Sequence, residues 1–228
     1  MARPHTVLSC AMSLDGRIDD AGPKRLRLSN EDDFDEVDEE RAASDAILVG
    51  AGTLRGDDPR LLVRSPERRS RRVSHGATEY PIKIVLTASG ALDPAARFFT
   101  TGDAAKLVYS ESGGHATAVR ALHGTGDTTV VDAGSPLDPA GVLDDLARRG
   151  VRRLLVEGGS RVHTLFLTAG LVDELRVAVA PFLIGDTAAP RFVEDGAFPN
   201  GPGDPLRLAE TRAVGDMAVL RYRLAGSK

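Results

Sequence analysis

The sequence predicts an α/β protein with a mixed, mostly parallel central sheet, helices on both faces and a C-terminal antiparallel hairpin. Three observations predict it. Short β-branched runs alternate with amphipathic stretches, the connections between them are short, and the last stretch reads as two strands around Gly215-Asp216. With 228 residues and 42% hydrophobic content, the chain suits a single domain over 1–228 and can bury a core.

Residues 5–11, 45–49, 82–86 and 106–109 read as the first four strands, and Val130 and Val131 belong to a fifth. Between the first two, Ser29 offers a helix-capping hydroxyl with Asp32 three residues on, and Phe34, Val37 and Arg41 share a face at i, i+3 and i+7. Asp138-Pro139 opens a helix with the cap and first-turn proline expected of one, and Gly150 ends it. A strand over 151–156 follows. After Glu157-Gly158-Gly159-Ser160, the residues Val162, Leu165, Phe166 and Ala169 mark a helix ending at Gly170, then a strand near 173–180. Residues 206–211 and 217–224 form the terminal hairpin.

Two charge blocks interrupt this pattern: residues 31–40 hold eight acids in ten positions, and 64–72 hold five arginines in nine. They read as a solvated helix face and as part of a long polar loop over 65–79. Arg41 and Arg64 border apolar stretches instead. Arg41 is carried on the same face as Phe34 and Val37, where it needs a carboxylate or phosphate partner or a neighbouring acid.

The same composition excludes several functions. One cysteine, Cys10, rules out a disulfide scaffold, and the five histidines never fall at a metal-ligand spacing, so no metal is expected. Against 33 acids, 29 basic residues and few aromatics argue against nucleic-acid binding, which leaves a small molecule as the phosphorylated partner. No run approaches the roughly 18 apolar residues of a membrane helix, and acids at 15, 19 and 20 break any secretory pattern; a soluble, cytoplasmic protein is expected. No Ser-His-Asp or Cys-His arrangement follows from spacing, because His163 lies on the polar side of its helix and His75, His115 and His123 in loops.

Three strand-to-loop junctions can meet a phosphorylated ligand. At Val49-Gly50-Ala51-Gly52-Thr53 the dinucleotide fingerprint fails, since position 55, where its third glycine would stand, is Arg55; two glycines and the Thr53 hydroxyl remain. Glu157-Gly158-Gly159-Ser160 leaves helix N-terminal amides open to a pyrophosphate and sets a carboxylate at a strand's carboxyl end. The third, Leu86-Thr87-Ala88-Ser89-Gly90, is by itself a polar turn.

Ala11-Met12-Ser13-Leu14-Asp15-Gly16, the run from Ser44 to Thr53, Asp57-Asp58-Pro59-Arg60-Leu61, Val156-Glu157-Gly158-Gly159 and Gly170-Leu171-Val172-Asp173-Glu174 with Ala180-Pro181 occur in this order. Over about residues 5–224 the chain resembles the reductase domain of bacterial riboflavin-pathway deaminase/reductases and their stand-alone relatives. The resemblance implies a dihydrofolate-reductase-like fold and an NADPH-dependent oxidoreductase. Hydride would pass to C1′ of a phosphoribosylamino-pyrimidine, turning its ribosylamino chain into a ribitylamino one. It also implies a homodimer.

Residue by residue, the resemblance implies cofactor contacts at Ala11, Thr53, Asp57, Thr87 and along Gly159, Ser160, Arg161, Val162, His163, Thr164 and Leu165. It implies substrate contacts at Arg41, Leu61, Arg64 and Glu157, with Glu157 as the catalytic residue and the two arginines on the 5′-phosphate. The sequence departs from the family twice. It lacks the His-x-Glu and Pro-Cys-x-x-Cys of the deaminase half, and Ser9 stands where the bifunctional enzymes usually carry lysine. Two other readings stay open: recruitment to another NADPH-dependent reduction, of a pterin or a specialised-metabolite pyrimidine, and a non-catalytic nucleotide-binding module.

Overall fold

A computed structural model describes residues 2–22 and 26–224, so both ends of the domain expected over 1–228 lie outside the described residues. It is a mixed α/β fold of mostly parallel strands with a C-terminal antiparallel hairpin. Its contacts divide into two units, one of residues 1–4 and 38–155, the other of 5–37 and 156–228.

In the first unit, β2 (Ala46–Gly50), β3 (Ile82–Thr87), β4 (Lys106–Ser110) and β5 (Thr128–Asp132) follow in order as parallel neighbours. The apolar runs of β2, β3 and β4 are buried while β5 is only partly covered, and Ile47, Val49, Val85 and Val108 join Leu54, Leu61 and Phe98 in one core. The helices are α2 (Ala51–Asp57), α3 (Pro66–Ser74), α4 (Arg97–Thr100), α5 (Ser112–Ala121) and α6 (Pro139–Arg148). Asp138 caps α6 by accepting the Ala140 amide, as its sequence requires.

The second unit pairs β1 (His5–Ser13) in parallel with β7 (Glu174–Ala180), and β7 runs antiparallel to β9 (Met217–Arg223), which pairs with β8 (Arg207–Val214). It also holds α7 (Ser160–Thr168). Ala178, Ala180, Val214, Met217 and Val219 form its core. Two elements run through the boundary between units, α1 (Glu31–Ala42) and β6 (Arg153–Gly158).

The charge blocks depart from the sequence reading. The expected polar loop over 65–79 contains α3: Ser65 caps it by accepting the Arg68 amide, Pro66 starts it, and Glu67 complements its amino end. Its arginines are engaged within the first unit. Arg68 pairs with Asp38 and Glu39, Arg71 with Glu39, and buried Arg72 donates to the carbonyls of Ala42, Ser44 and Thr78. Arg72 therefore closes the carboxyl end of α1, where a cation is favoured.

The acidic face of α1 is not simply solvated. Asp33, Asp38 and Glu40 are buried, because arginines distant in sequence meet them: Arg176 at Asp33, Arg68 at Asp38 and Arg153 at Glu40. The cap also shifts by one residue from Ser29 to Asn30, whose Oδ1 accepts the Asp33 amide at 2.8 Å while its amide group donates to the Val214 carbonyl. Among the described residues no helix is long and apolar enough to cross a membrane, and no cluster of His, Cys, Asp or Glu could hold a metal ion.

Candidate functional site

In the first unit, β2 and β3 are aligned so that Gly50 faces Leu86, and the chain leaves the carboxyl ends of both strands toward the expected cofactor residues. Thr53 is the third residue of α2 and Asp57 its last, both half-buried. Thr87 ends β3, and its Oγ1 accepts the Gly90 amide at 3.1 Å. The glycine of that turn has a packing cause: a Cβ at Gly90 would stand 2.1 Å from the Gly114 carbonyl, and one at Gly114 would stand 2.2 Å from the Ala88 carbonyl. Two backbones thus touch where α5 crosses the turn.

The expected substrate residues of this unit gather around Asp38. This carboxylate, 3% exposed, accepts the Arg64 amide at 2.5 Å and the Ser65 amide at 3.0 Å. One helical turn later Arg41 donates to the Leu62 carbonyl at 3.3 Å. The segment carrying Arg64 is therefore fastened to the helix carrying Arg41 from two points, and the exposed Arg64 side chain leaves from that joint. Leu61 is different. It sits at φ 48°, is 2% exposed and packs in the core, which leaves it almost no surface for a ligand.

In the second unit, Ala11 lies near the end of β1 opposite Ala178, and Glu157 is half-buried near the end of β6. Gly158 then adopts φ 111°, a conformation other residues avoid, and Gly159 takes the N-cap position of α7. Gly159 provides no side-chain cap and the first turn has no acid, while the Arg161 side chain is 90% exposed beside Glu194. A helix start with no side-chain cap, no acid in its first turn and an exposed arginine fits the pyrophosphate of a dinucleotide cofactor. Ser160, Thr164 and Leu165 are half-buried.

Val162 and His163 turn inward instead. The expectation that His163 lies on the polar side of its helix is overturned: it is fully buried, and its Nδ1 meets the Phe192 carbonyl at 2.9 Å. A segment about thirty residues further on covers that side of α7, and nothing in the local pattern announces it. Burial pulls this imidazole down to about 4. Burial likewise pushes the Cys10 thiol up to about 12, with Asp33 adding to the effect.

Sequence reasoning missed two organising carboxylates, Asp38 and Asp15. Asp15 accepts from the Ser13 hydroxyl at 2.5 Å and from the amides of Gly185 at 2.8 Å and Ile184 at 3.1 Å, and these bonds hold its carboxyl well below the usual range. It joins the turn after β1 to the one after β7. Its place inside the Ser13-Leu14-Asp15-Gly16 motif was the available signal; for Asp38, one acid among eight, there was none.

Comparisons with known proteins bear on the family and the fold. The RibD C-terminal domain family matches residues 4–220. A 2,5-diamino-6-ribosylamino-4(3H)-pyrimidinone 5′-phosphate reductase of Archaeoglobus fulgidus is 36% identical over 196 residues, 86% of this chain and 89% of that protein. One of the same description from Methanothermobacter thermautotrophicus is 34% identical over 227 residues, 98% of this chain and all of that protein. Among solved structures, a pyrimidine reductase-like protein from Corynebacterium diphtheriae superposes with a TM-score of 0.80 at 22% identity, covering 96% of this chain and 91% of that one, which speaks to the fold.

Proposed function

Because the chain belongs to the RibD C-terminal domain family, a family of pyrimidine reductases, we propose that it reduces a phosphoribosylamino-pyrimidine with NADPH. The substrate class is that named for the two archaeal relatives, a ribosylamino-pyrimidinone 5′-phosphate. The observation that carries the phosphate part of this reading is the joint at Asp38, which sets Arg41 and Arg64 on adjoining segments of one unit. Two guanidiniums suit a phosphate dianion, and each charge-assisted bond contributes about 1.5–3 kcal/mol.

When bound, a nicotinamide cofactor would supply the hydride for C1′ of the open-chain imine, whose nitrogen would need a proton. The chain's own part is positioning. Gly159, Ser160 and Arg161 at the start of α7 would hold the cofactor; Thr53 and Thr87, in the other unit, are cofactor residues by the family resemblance alone. Arg41 and Arg64 would hold the phosphate, and the family resemblance alone gives Glu157 its role in orienting the substrate. The preference for NADPH over NADH and a homodimer come to this reading from the family resemblance, and a single cytoplasmic domain from the length and composition of the chain.

The test is to mix the protein with NADPH and 2,5-diamino-6-ribosylamino-4(3H)-pyrimidinone 5′-phosphate and to follow NADPH absorbance. Turnover is expected, faster than with NADH. Arg64→Ala should raise KM about tenfold or more for this substrate and leave the dephosphorylated compound little changed. No oxidation of NADPH, or equal effects on both substrates, would overturn the assignment. Oxidation with an unphosphorylated pterin instead would favour the recruited-reductase reading.

A further inference from the structure

His163, one of the cofactor residues that the resemblance implies, is too deeply buried to touch a ligand with its side chain. His163 lies in the second turn of α7 with no exposed surface, and its Nδ1 is 2.9 Å from the Phe192 carbonyl. A carbonyl only accepts, so Nδ1 carries the hydrogen and Nε2 the lone pair. That Nε2 is buried without a polar partner among the described residues. It abuts Gly158 so closely that a Cβ there would stand 2.6 Å from it. The ring is therefore the floor of the turn between Glu157 and the N-cap of α7.

Phe192 belongs to a strap, residues 189–195, that fastens α7 to the turn after β1. On one side its amide donates to the Gly16 carbonyl at 3.0 Å, and the Ile18 amide donates to the Pro190 carbonyl at 2.9 Å. On the other, the Glu194 amide donates to Thr164 Oγ1 at 2.8 Å and the Ser160 hydroxyl donates to the Arg191 carbonyl. The His163 bond lies between these two, with its ring 5.2 Å from that of Phe192.

We infer that His163 is a positioning residue for the cofactor: bonded to Phe192 and wedged under Gly158, it fixes the Glu157-Gly158-Gly159 turn to the strap without touching the ligand. The inference rests on the proposed cofactor site at α7. A ring that both fills the space below Gly158 and donates outward serves two purposes that smaller or apolar side chains meet only singly. The desolvated imidazole stays neutral at neutral pH, so no charge is held in that space.

Three variants separate these roles. His163→Phe fills the volume without a donor, His163→Asn keeps an amide donor where Nδ1 sits, and His163→Gln moves the donor to the far ring position. Fluorescence titration should show the Kd for NADPH raised about tenfold in His163→Phe and in His163→Gln, and partly restored in His163→Asn, which keeps the donor but leaves the space under Gly158 unfilled. KM for the pyrimidine at saturating NADPH should rise clearly less than the Kd for NADPH in all three, because Glu157 is also held by β6 while Gly158 rests on the ring itself, a split that general loosening of the fold does not produce. Nitrogen NMR of the wild-type ring should show Nδ1 protonated and Nε2 bare. Unchanged NADPH affinity in both His163→Phe and His163→Gln, or a protonated Nε2, would overturn the inference while leaving the cofactor site intact. Wild-type protein that binds no NADPH would instead remove the cofactor site and this inference with it. If His163→Phe does not fold, His163→Gln against His163→Asn makes the same decision.

Discussion

Arg176 and Asp33 form an ion pair inside the second unit, 2.5 Å apart with side chains 1% and 0% exposed. Glu36, one turn along α1, shares Arg176 at 2.8 Å and also pairs with Arg212. The cluster joins strand β7 to helix α1. Removing only the arginine leaves carboxylates buried without it, so Arg176→Leu should cost about 3–5 kcal/mol of stability. Urea unfolding checks this. The double variant Arg176→Leu, Asp33→Leu should recover part of the loss, because the fully buried charge goes with its partner. A single variant as stable as wild type would refute the account.

Asp38 makes a second prediction, on substrate affinity. In Asp38→Asn one carboxylate oxygen becomes a donor, which cannot accept both the Arg64 and Ser65 amides and no longer pairs with the charge of Arg68. KM for the phosphorylated substrate should rise by about tenfold, with a smaller change for NADPH. Steady-state kinetics in both ligands decides. Equal increases for both would mean that the joint does not act on the phosphate side alone.

Stability should depend on acid through His163. Its ordinary value is 6.5 and burial lowers it to about 4 in the folded chain, so between those two the unfolded chain binds more protons. The folded state keeps this contribution in full above about pH 6.5 and loses it as pH falls toward 4, on the order of 3 kcal/mol in all. Denaturation midpoints measured at intervals from pH 7 to pH 4 should therefore decline more steeply in wild type than in His163→Phe. Parallel curves would show that the imidazole charges as easily folded as unfolded.

The contact between Gly90 and Gly114 predicts a local failure. Gly114→Ala places a methyl 2.2 Å from the Ala88 carbonyl, and backbone on both sides must move. A destabilisation of about 1–3 kcal/mol is expected from such overpacking. The displaced turn carries Thr87, so NADPH affinity should weaken as well. Thermal melting and cofactor titration of the same sample test both, and a variant with wild-type values in each would show that the close approach is dispensable.

Much of this architecture was legible because its causes are local. Asp138, Pro139 and Gly150 bracket α6 with chemistry that acts within a turn, and the apolar runs of β2, β3 and β7 are buried as their composition demands. Helix α3 was missed although its signals, Ser65 as cap and Pro66 at the first turn, are equally local. Four arginines in a row of nine helical residues masked them, since such a run reads as a solvated loop until acids from elsewhere neutralise it. His163 failed for a related reason: its partner, the Phe192 carbonyl, lies in a segment without regular structure.

The sequence by itself determined the alternation of strands and helices, the glycines at the strand ends and the order of motifs that places the chain in its family. Those features depend on hydrophobic period and on backbone conformations that neighbours in the chain can impose. Only the tertiary structure decided which charges are paired. Asp38 became the partner of Arg68 and the fastening of the Arg64 backbone, Asp33 the partner of Arg176, and His163 a neutral buried wedge. Charge pairing and burial depend on which distant segments arrive at the same place, and composition carries no record of that.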